Sequence, residues 1–595
     1  MARIDRYLLH TFETLKDVGT PEIHTAAPAG PAASDLLPML VRVVHPAEIP
    51  KIMDIQDCQV TSEIGNIVAC LGSLATIEAL AGSPWVISVE ASRPTSGFDC
   101  GVSVPFVHAD KVHNDPQQPE KGDHALVALI DGGIDVLHQA FQDKNKNTRI
   151  ASIWDQTDSS APGPTVQGRS LYGTLHTKNM INGYITAGTV PKGLGRDPRH
   201  HGTHVGSIAA GQSAGKFCGG MAPESQIVVV IPRIRVNSRD PFSVGYSNSH
   251  VDALSFIDSE ANRLNLPVVV NVSLGMNAGA HDGTSNLEAA FDNFSGGGRV
   301  PGRVVVKSAG NERGKDGHAQ LKMANQQVQS LTWTSLQSHA GPDVIELWFR
   351  ACDDHKLRLF DPSQGSSQFV EANESKGGNF PSGYRFDISY EKFHWDNGDS
   401  RVLVSISSGQ NLSIAAGNWR LDIEAKTVLS DGLVHAWIER DDTRPIRFTS
   451  HQWEEFTLSI PGTARTVVAV ASVAPAIPWQ VASYSSYGPT RDEREKPDLA
   501  APGESIEAAK AGTLQDVEVM SGTSMAAPHV TGAIALLLSR QEKLGRAAPA
   551  GGSKQFNAAQ IRAALSQTSQ NFSGRPTPSM GYGVLDAQKF LATLK

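Results

Sequence analysis

The sequence predicts an α/β protein built on a doubly wound, mostly parallel sheet, preceded by a small ferredoxin-like domain and interrupted by an inserted all-β module of sandwich or jelly-roll type. Three observations carry this. Apolar runs at 125–130, 227–231, 268–272, 304–306 and 467–473 are continuous rather than alternating, as strands covered on both faces must be. Helical or glycine-rich stretches separate most of them, which is the alternation of a parallel sheet. Between about Asp316 and Glu455 that alternation stops, and short strand-like pieces joined by Gly, Asp, Asn and Pro turns replace it.

Composition bounds the function. A chain of 595 residues holds several folding units and an ample core. A formal charge of -9 argues against a nucleic-acid or polybasic membrane surface. Cys58, Cys70, Cys100, Cys218 and Cys352 are scattered with no Cys-x-x-Cys spacing, which favours free thiols in a reducing compartment over a disulfide scaffold or zinc site. The first twenty residues contain no uninterrupted apolar segment, so no signal peptide is expected. No run reaches the length of a membrane span, and the expected location is cytoplasmic.

Taken in order, residues 1–36 read as a helix with the stripe Ile4, Leu8, Phe12 and Leu15, then a Pro/Ala-rich linker. Residues 37–96 follow the order βαββαβ, with strand 39–44, helix 47–55, two strands around Gly65, helix 74–81 and strand 85–90. Residues 97–122 read as a linker, 123–316 as the first part of the parallel-sheet domain, 317–455 as the β insert and 456–595 as the second part. Trp333, Trp348, Trp395, Trp419 and Trp437 of the insert are expected mainly as core, with a binding face as the other reading.

Chemistry-bearing residues fall where such sheets place them, beyond the carboxyl ends of strands. Asp131 ends the first apolar run, His201-Gly202-Thr203-His204 enters a helix of small residues, and Ser308-Ala309-Gly310-Asn311 follows the fourth run. Ser524 opens an apolar helix, and Pro528 requires that helix to begin close by, because proline lacks the N–H of an interior position. A hydroxyl there sits at the positive end of a helix dipole.

Together these motifs resemble the subtilisin-like serine proteases, in the chain order Asp, His, Ser. Gly220-Met221-Ala222-Pro223, Asn271-Val272-Ser273-Leu274-Gly275, Ser483–Pro489, Lys496–Gly503 and Gly581–Ala587 extend the likeness over about 123–316 and 456–595. The resemblance implies a serine endopeptidase with Ser524 as nucleophile, His201 as base and acid, Asp131 as orienting carboxylate and Asn311 as oxyanion donor. His204, a turn further on, is expected to be structural. Ser273, Leu274 and Gly275, with Ser308, Ala309 and Gly310, are implied to bind a protein or peptide substrate. The 37–96 module resembles a propeptide that blocks the cleft until Ser524 cuts the chain between about Arg93 and Asp110, which makes it a partner of its own enzyme. The β insert resembles the jelly roll of some subtilases. No cofactor is required for the chemistry; structural calcium fits the family, with no ligand set assignable. The rival readings are a non-catalytic binding or signalling protein on the same scaffold, and an esterase or acyl transferase with the same triad.

Overall fold

The computed structural model describes residues 3–4, 37–64, 66–91, 98–233, 245–335, 337–339, 342–439, 446–547, 555–571 and 574–593. It divides into two compact units, Met1–Ser96 and Gly97–Lys595.

In the first unit, strands Leu37–Val43, Gln59–Ile64, Ile67–Gly72 and Val86–Ala91 form one sheet in the spatial order fourth, first, third, second. That is the order of a βαββαβ unit. Helix Leu74–Gly82 starts at Ser73, whose hydroxyl and the Thr76 side chain cap each other's backbone N–H. Met39, Val41, Ile52, Val68, Ile77, Leu80 and Val89 make the core. The helix expected at 47–55 is reduced to a turn at Pro46–Glu48 and a short helix Pro50–Met53, because each proline opens a new turn and neither continues one. Ile4 pairs as extended chain against Val89; the rest of the expected helical stripe, and the linker after it, lie outside the described residues.

The second unit is organised by an eight-stranded sheet. Its strands are β1 (Leu126–Ile130), β2 (Ile150–Asp155), β3 (Thr174–Thr177), β4 (Gln226–Ile231), β5 (Val268–Val272), β6 (Arg303–Ser308), β7 (Val468–Val473) and β8 (Leu499–Pro502). The order across the sheet is β3-β2-β4-β1-β5-β6-β7-β8, parallel except for β3 on its edge. Helices α1 (His201–Ala210) and α4 (Thr523–Ala547) cover one face, where Val127 and Leu129 meet Val205, Ile208, Val530 and Ala533. Helices α2 (Gly245–Leu264) and α3 (Asn286–Phe294) cover the other, where Leu126, Ala128 and Ile130 meet Ala253, Phe256 and Leu287. The continuous apolar runs follow from this two-sided burial. Strands β2 and β8 escaped that reading: β2 buries Ser152 and Asp155 among its apolar residues, and β8 is four residues long and ends in proline.

Residues 97–122 are more than the expected linker. Phe98–Asp99 pairs parallel with Ile506–Glu507, and two helices, Cys100–Phe106 and Ala109–His113, with the turn between them, send Val104, Val107 and Val112 into the core of the sheet domain. Their shortness, and Pro105 inside the first, hid any helical period.

Between β6 and β7 the chain forms a six-stranded and a four-stranded antiparallel sheet. Burial alternates along Ser400–Ser407 and most of Gly417–Thr427, and the buried faces of both sheets share one core that includes Trp333 and Trp419. Trp348 and Trp437 are buried instead with Ala280, against Phe456, and only Trp395 of the five tryptophans is exposed. Arg491 ties the insert to the sheet domain: it bonds Asp399 of the insert and Asp282, each at 2.6 Å, with all three nearly buried.

Candidate active site

The carboxyl ends of β1, β5 and β6 and the first turns of α1 and α4 supply the site. Asp131 leaves β1 almost fully buried, and its Oδ1 accepts from Gly132 N and from His201 Nδ1, each at 2.7 Å. Donation from Nδ1 leaves Nε2 of a neutral ring free to accept a proton. Burial alone would lower the His201 pKa, but attraction to Asp131, the hydrogen bond with it and the nearby Asp197 carboxylate together raise it. Gly202 is required here, because a Cβ would fall 1.9 Å from Gly133 O and close to the Asp131 side chain. His204 is fully buried and donates through Nε2 to Ile506 O and Glu518 O, with burial holding its pKa down to about 3. It is a structural histidine.

Ser524 is the second residue of α4 and 8% exposed. Its Oγ donates to Ser273 O at 3.4 Å and makes no hydrogen bond with His201, in keeping with the loose catalytic contacts of unliganded sites. Pro528 lies six residues into α4, deeper than the first turn expected for it. Its missing N–H leaves Ser524 O without a helical donor, and Ser273 Oγ supplies one at 3.4 Å.

Asn311 follows β6. Its Oδ1 accepts from Thr523 N at 3.0 Å and Thr523 Oγ1 at 2.9 Å. Because a backbone N–H is an obligate donor, the amide oxygen must face Thr523, and the Nδ2 donors are left free beside the start of α4. Thr523 therefore positions Asn311, a role the sequence motifs did not disclose.

The two segments implied to bind substrate differ in what they offer. Gly275 is exposed, and Ser273 O lies against Ser524. Ala309 and Gly310 have their backbone groups committed internally: Ala309 to Val470 and Ser459, Gly310 to Thr523 Oγ1 and Ser486. They form a wall rather than a free pairing edge. Beneath that wall Lys307 is buried, bonded to Ser308 and Ser459. A lone charge after the apolar run 304–306 was the signal available for it. Among the described residues no group of His, Cys, Asp and Glu side chains is placed to hold a metal ion, and no helix is long and apolar enough to cross a membrane.

The sequence profile of the subtilase family matches residues 122–338 and 351–584. The chain is 24% identical over 458 residues to the PI-type proteinase of Lactococcus lactis subsp. cremoris, covering 70% of this chain and 22% of that protein. It is 24% identical over 462 residues to the C5a peptidase of Streptococcus pyogenes serotype M1, covering 72% of this chain and 36% of that protein. The chain thus spans between about a fifth and a third of the length of these curated relatives. The solved structure of the Clostridium perfringens CspB protease is similar with a TM-score of 0.70 at 26% identity, covering 83% of this chain and 98% of that one. The matched segments run over most of the chain and contain Asp131, His201, Asn311 and Ser524, and the protein belongs to the subtilase family.

Proposed function

We propose that the protein is a serine endopeptidase, with Asp131, His201 and Ser524 as its triad and Asn311 in its oxyanion hole. The observation that carries this is the 2.7 Å bond between Asp131 Oδ1 and His201 Nδ1 at the sheet edge that also holds Ser524 and the free amide of Asn311. His201 Nε2 takes the Ser524 hydroxyl proton as Oγ attacks the scissile carbonyl carbon, and Asp131 stabilises the imidazolium that results. The carbonyl oxygen becomes an oxyanion, received by Asn311 Nδ2–H and Ser524 N–H at the positive end of α4. Collapse breaks the C–N bond as His201 gives its proton to the departing amine. Water, deprotonated by His201, then attacks the acyl-serine ester, the second intermediate collapses, and the acid product leaves with Ser524 restored.

The same reading makes residues 37–96 a propeptide-like domain and the β insert a jelly-roll-like addition. Its βαββαβ order supports the first. Because Val104, Val107 and Val112 belong to the core of the sheet domain, a maturation cut by Ser524 falls before Phe98, at the early end of the interval from Arg93 to Asp110. A fluorophosphonate probe should label the wild type together with casein cleavage, and both should vanish in Ser524→Ala. The variant should also run heavier by intact mass. An unlabelled, inactive wild type would overturn the peptidase reading; identical masses would overturn autoprocessing alone.

A further inference from the structure

Lys307 lies on β6, one of the middle strands of the sheet, with 1% of its surface exposed. Its ammonium donates to Ser308 O at 2.6 Å, Ser308 Oγ at 3.0 Å and Ser459 Oγ at 2.9 Å. Three donors meet three neutral oxygens, and no carboxylate among the described residues pairs with it. A charge buried in this way lacks the counter-ion that such groups ordinarily require, and burial pushes its pKa down to about 7.

The two hydroxyls relay that charge toward the substrate segments. Each accepts from the ammonium and keeps its own O–H hydrogen, and among the described residues neither has an acceptor for it. Ser459 Oγ lies 2.7 Å from where a Cβ on Gly275 would stand, and 3.0 Å from where one on Gly310 would stand. Ser459 therefore packs directly against both glycines, with Ser486 Oγ nearer still to Gly310 at 2.8 Å; Gly310 has φ of +110°, which also excludes most other residues. Ser459 thus touches both segments, with Lys307 bonded behind it. Both segments abut Ser524, through Ser273 O and through the bond from Gly310 N to Thr523 Oγ1.

We propose that Lys307, acting through the Ser308 and Ser459 hydroxyls, makes the substrate segments beside Ser524 select an acidic side chain on the residue whose carbonyl is attacked. A carboxylate that reaches these hydroxyls accepts their hydrogens and supplies the missing counter-charge in surroundings of low dielectric. A basic side chain meets a like charge, and a neutral amide gains the hydrogen bonds without the attraction. This rests on the endopeptidase reading and goes beyond it, since the family fold alone leaves the preference open.

The test is a panel of peptides identical except for Glu, Asp, Gln, Leu or Arg before the scissile bond. For the wild type we expect kcat/KM for Glu to exceed that for Gln by on the order of 10- to 100-fold, with Arg the poorest. In Lys307→Met the Glu-to-Gln ratio should fall toward one, whatever the absolute rate, while fluorophosphonate still labels Ser524. Ser459→Ala should lower the same ratio with the lysine in place, and it carries the test if Lys307→Met does not fold. A wild-type ratio of one or below overturns the inference, as does a ratio unchanged in a labelled Lys307→Met. Failure of the wild type to cleave any peptide or take the probe overturns the endopeptidase reading, and this inference with it.

Discussion

Ser273 and Ser524 exchange hydrogen bonds in both directions: Ser524 Oγ donates to Ser273 O and Ser273 Oγ donates to Ser524 O, each at 3.4 Å. The second bond exists because Pro528, four residues beyond Ser524, cannot donate back along the helix. Asn271 steadies the pair, giving Nδ2–H to Ser273 Oγ and accepting from Thr531 of α4. The expected consequence is non-additivity. Ser273→Ala should destabilise the protein by about 1–3 kcal/mol through an unsatisfied buried carbonyl. In the Pro528→Ala background, where a helical N–H is restored, the same change should cost about half or less. Urea unfolding of the four proteins measures the difference, and strict additivity would contradict it.

Asn311→Ala should reduce kcat by roughly 100- to 1000-fold, or about 2.7–4 kcal/mol, with little change in KM; the magnitude is carried over from such donors in subtilisin. Thr523→Ala removes one of two bonds that aim the Asn311 amide and should lower kcat about tenfold, with Thr523→Ser restoring it. Near-normal turnover in Asn311→Ala would remove that residue from the oxyanion hole.

In the proposed triad His201 must be neutral to take the Ser524 proton, and its pKa is raised above 6.5 by the balance of Asp131 and Asp197 over burial. Activity should therefore fall as pH drops through a midpoint above 6.5, seen in kcat/KM against pH. A midpoint at or below 6.5 would refute this. Asp131→Asn should cost about 10⁴-fold in kcat by favouring the wrong tautomer.

The contact between the insert and the sheet domain is packed with histidines. His281 and His318 stack on Trp437 at 4.2 and 4.8 Å, and His318 Nε2 bonds His435 Nδ1 at 3.1 Å. Burial pushes His281 down to about 4, His435 to about 3 and His318 well below 6.5. The unfolded chain thus binds more protons below pH 6.5. The stability these residues confer is complete above that value and is lost as pH falls toward 3–4, at about 1.4 kcal/mol per pH unit for each histidine. Urea unfolding at pH 7.5 and 5.5 should show the loss, and His435→Gln should lessen it by one histidine's share. A flat profile would contradict the burial of neutral rings.

What the sequence determined by itself was periodicity and punctuation. Runs such as 125–130 and 227–231 are apolar on every residue because helices cover both faces, and that physical necessity is legible without coordinates. So is the placing of Asp131 and Asn311 at strand ends and Ser524 at a helix mouth. Strand β2 and the helices after Phe98 were not legible, because their buried residues are mixed with polar ones or too few to show a period. Tertiary structure alone decided the contacts made across long separations: Thr523 turning the amide of Asn311, Ser273 answering the gap left by Pro528, and Ser459 meeting Lys307 from 152 residues away. Hydrogen bonds depend on where oxygens and N–H groups meet in space, and one-dimensional spacing carries no record of that.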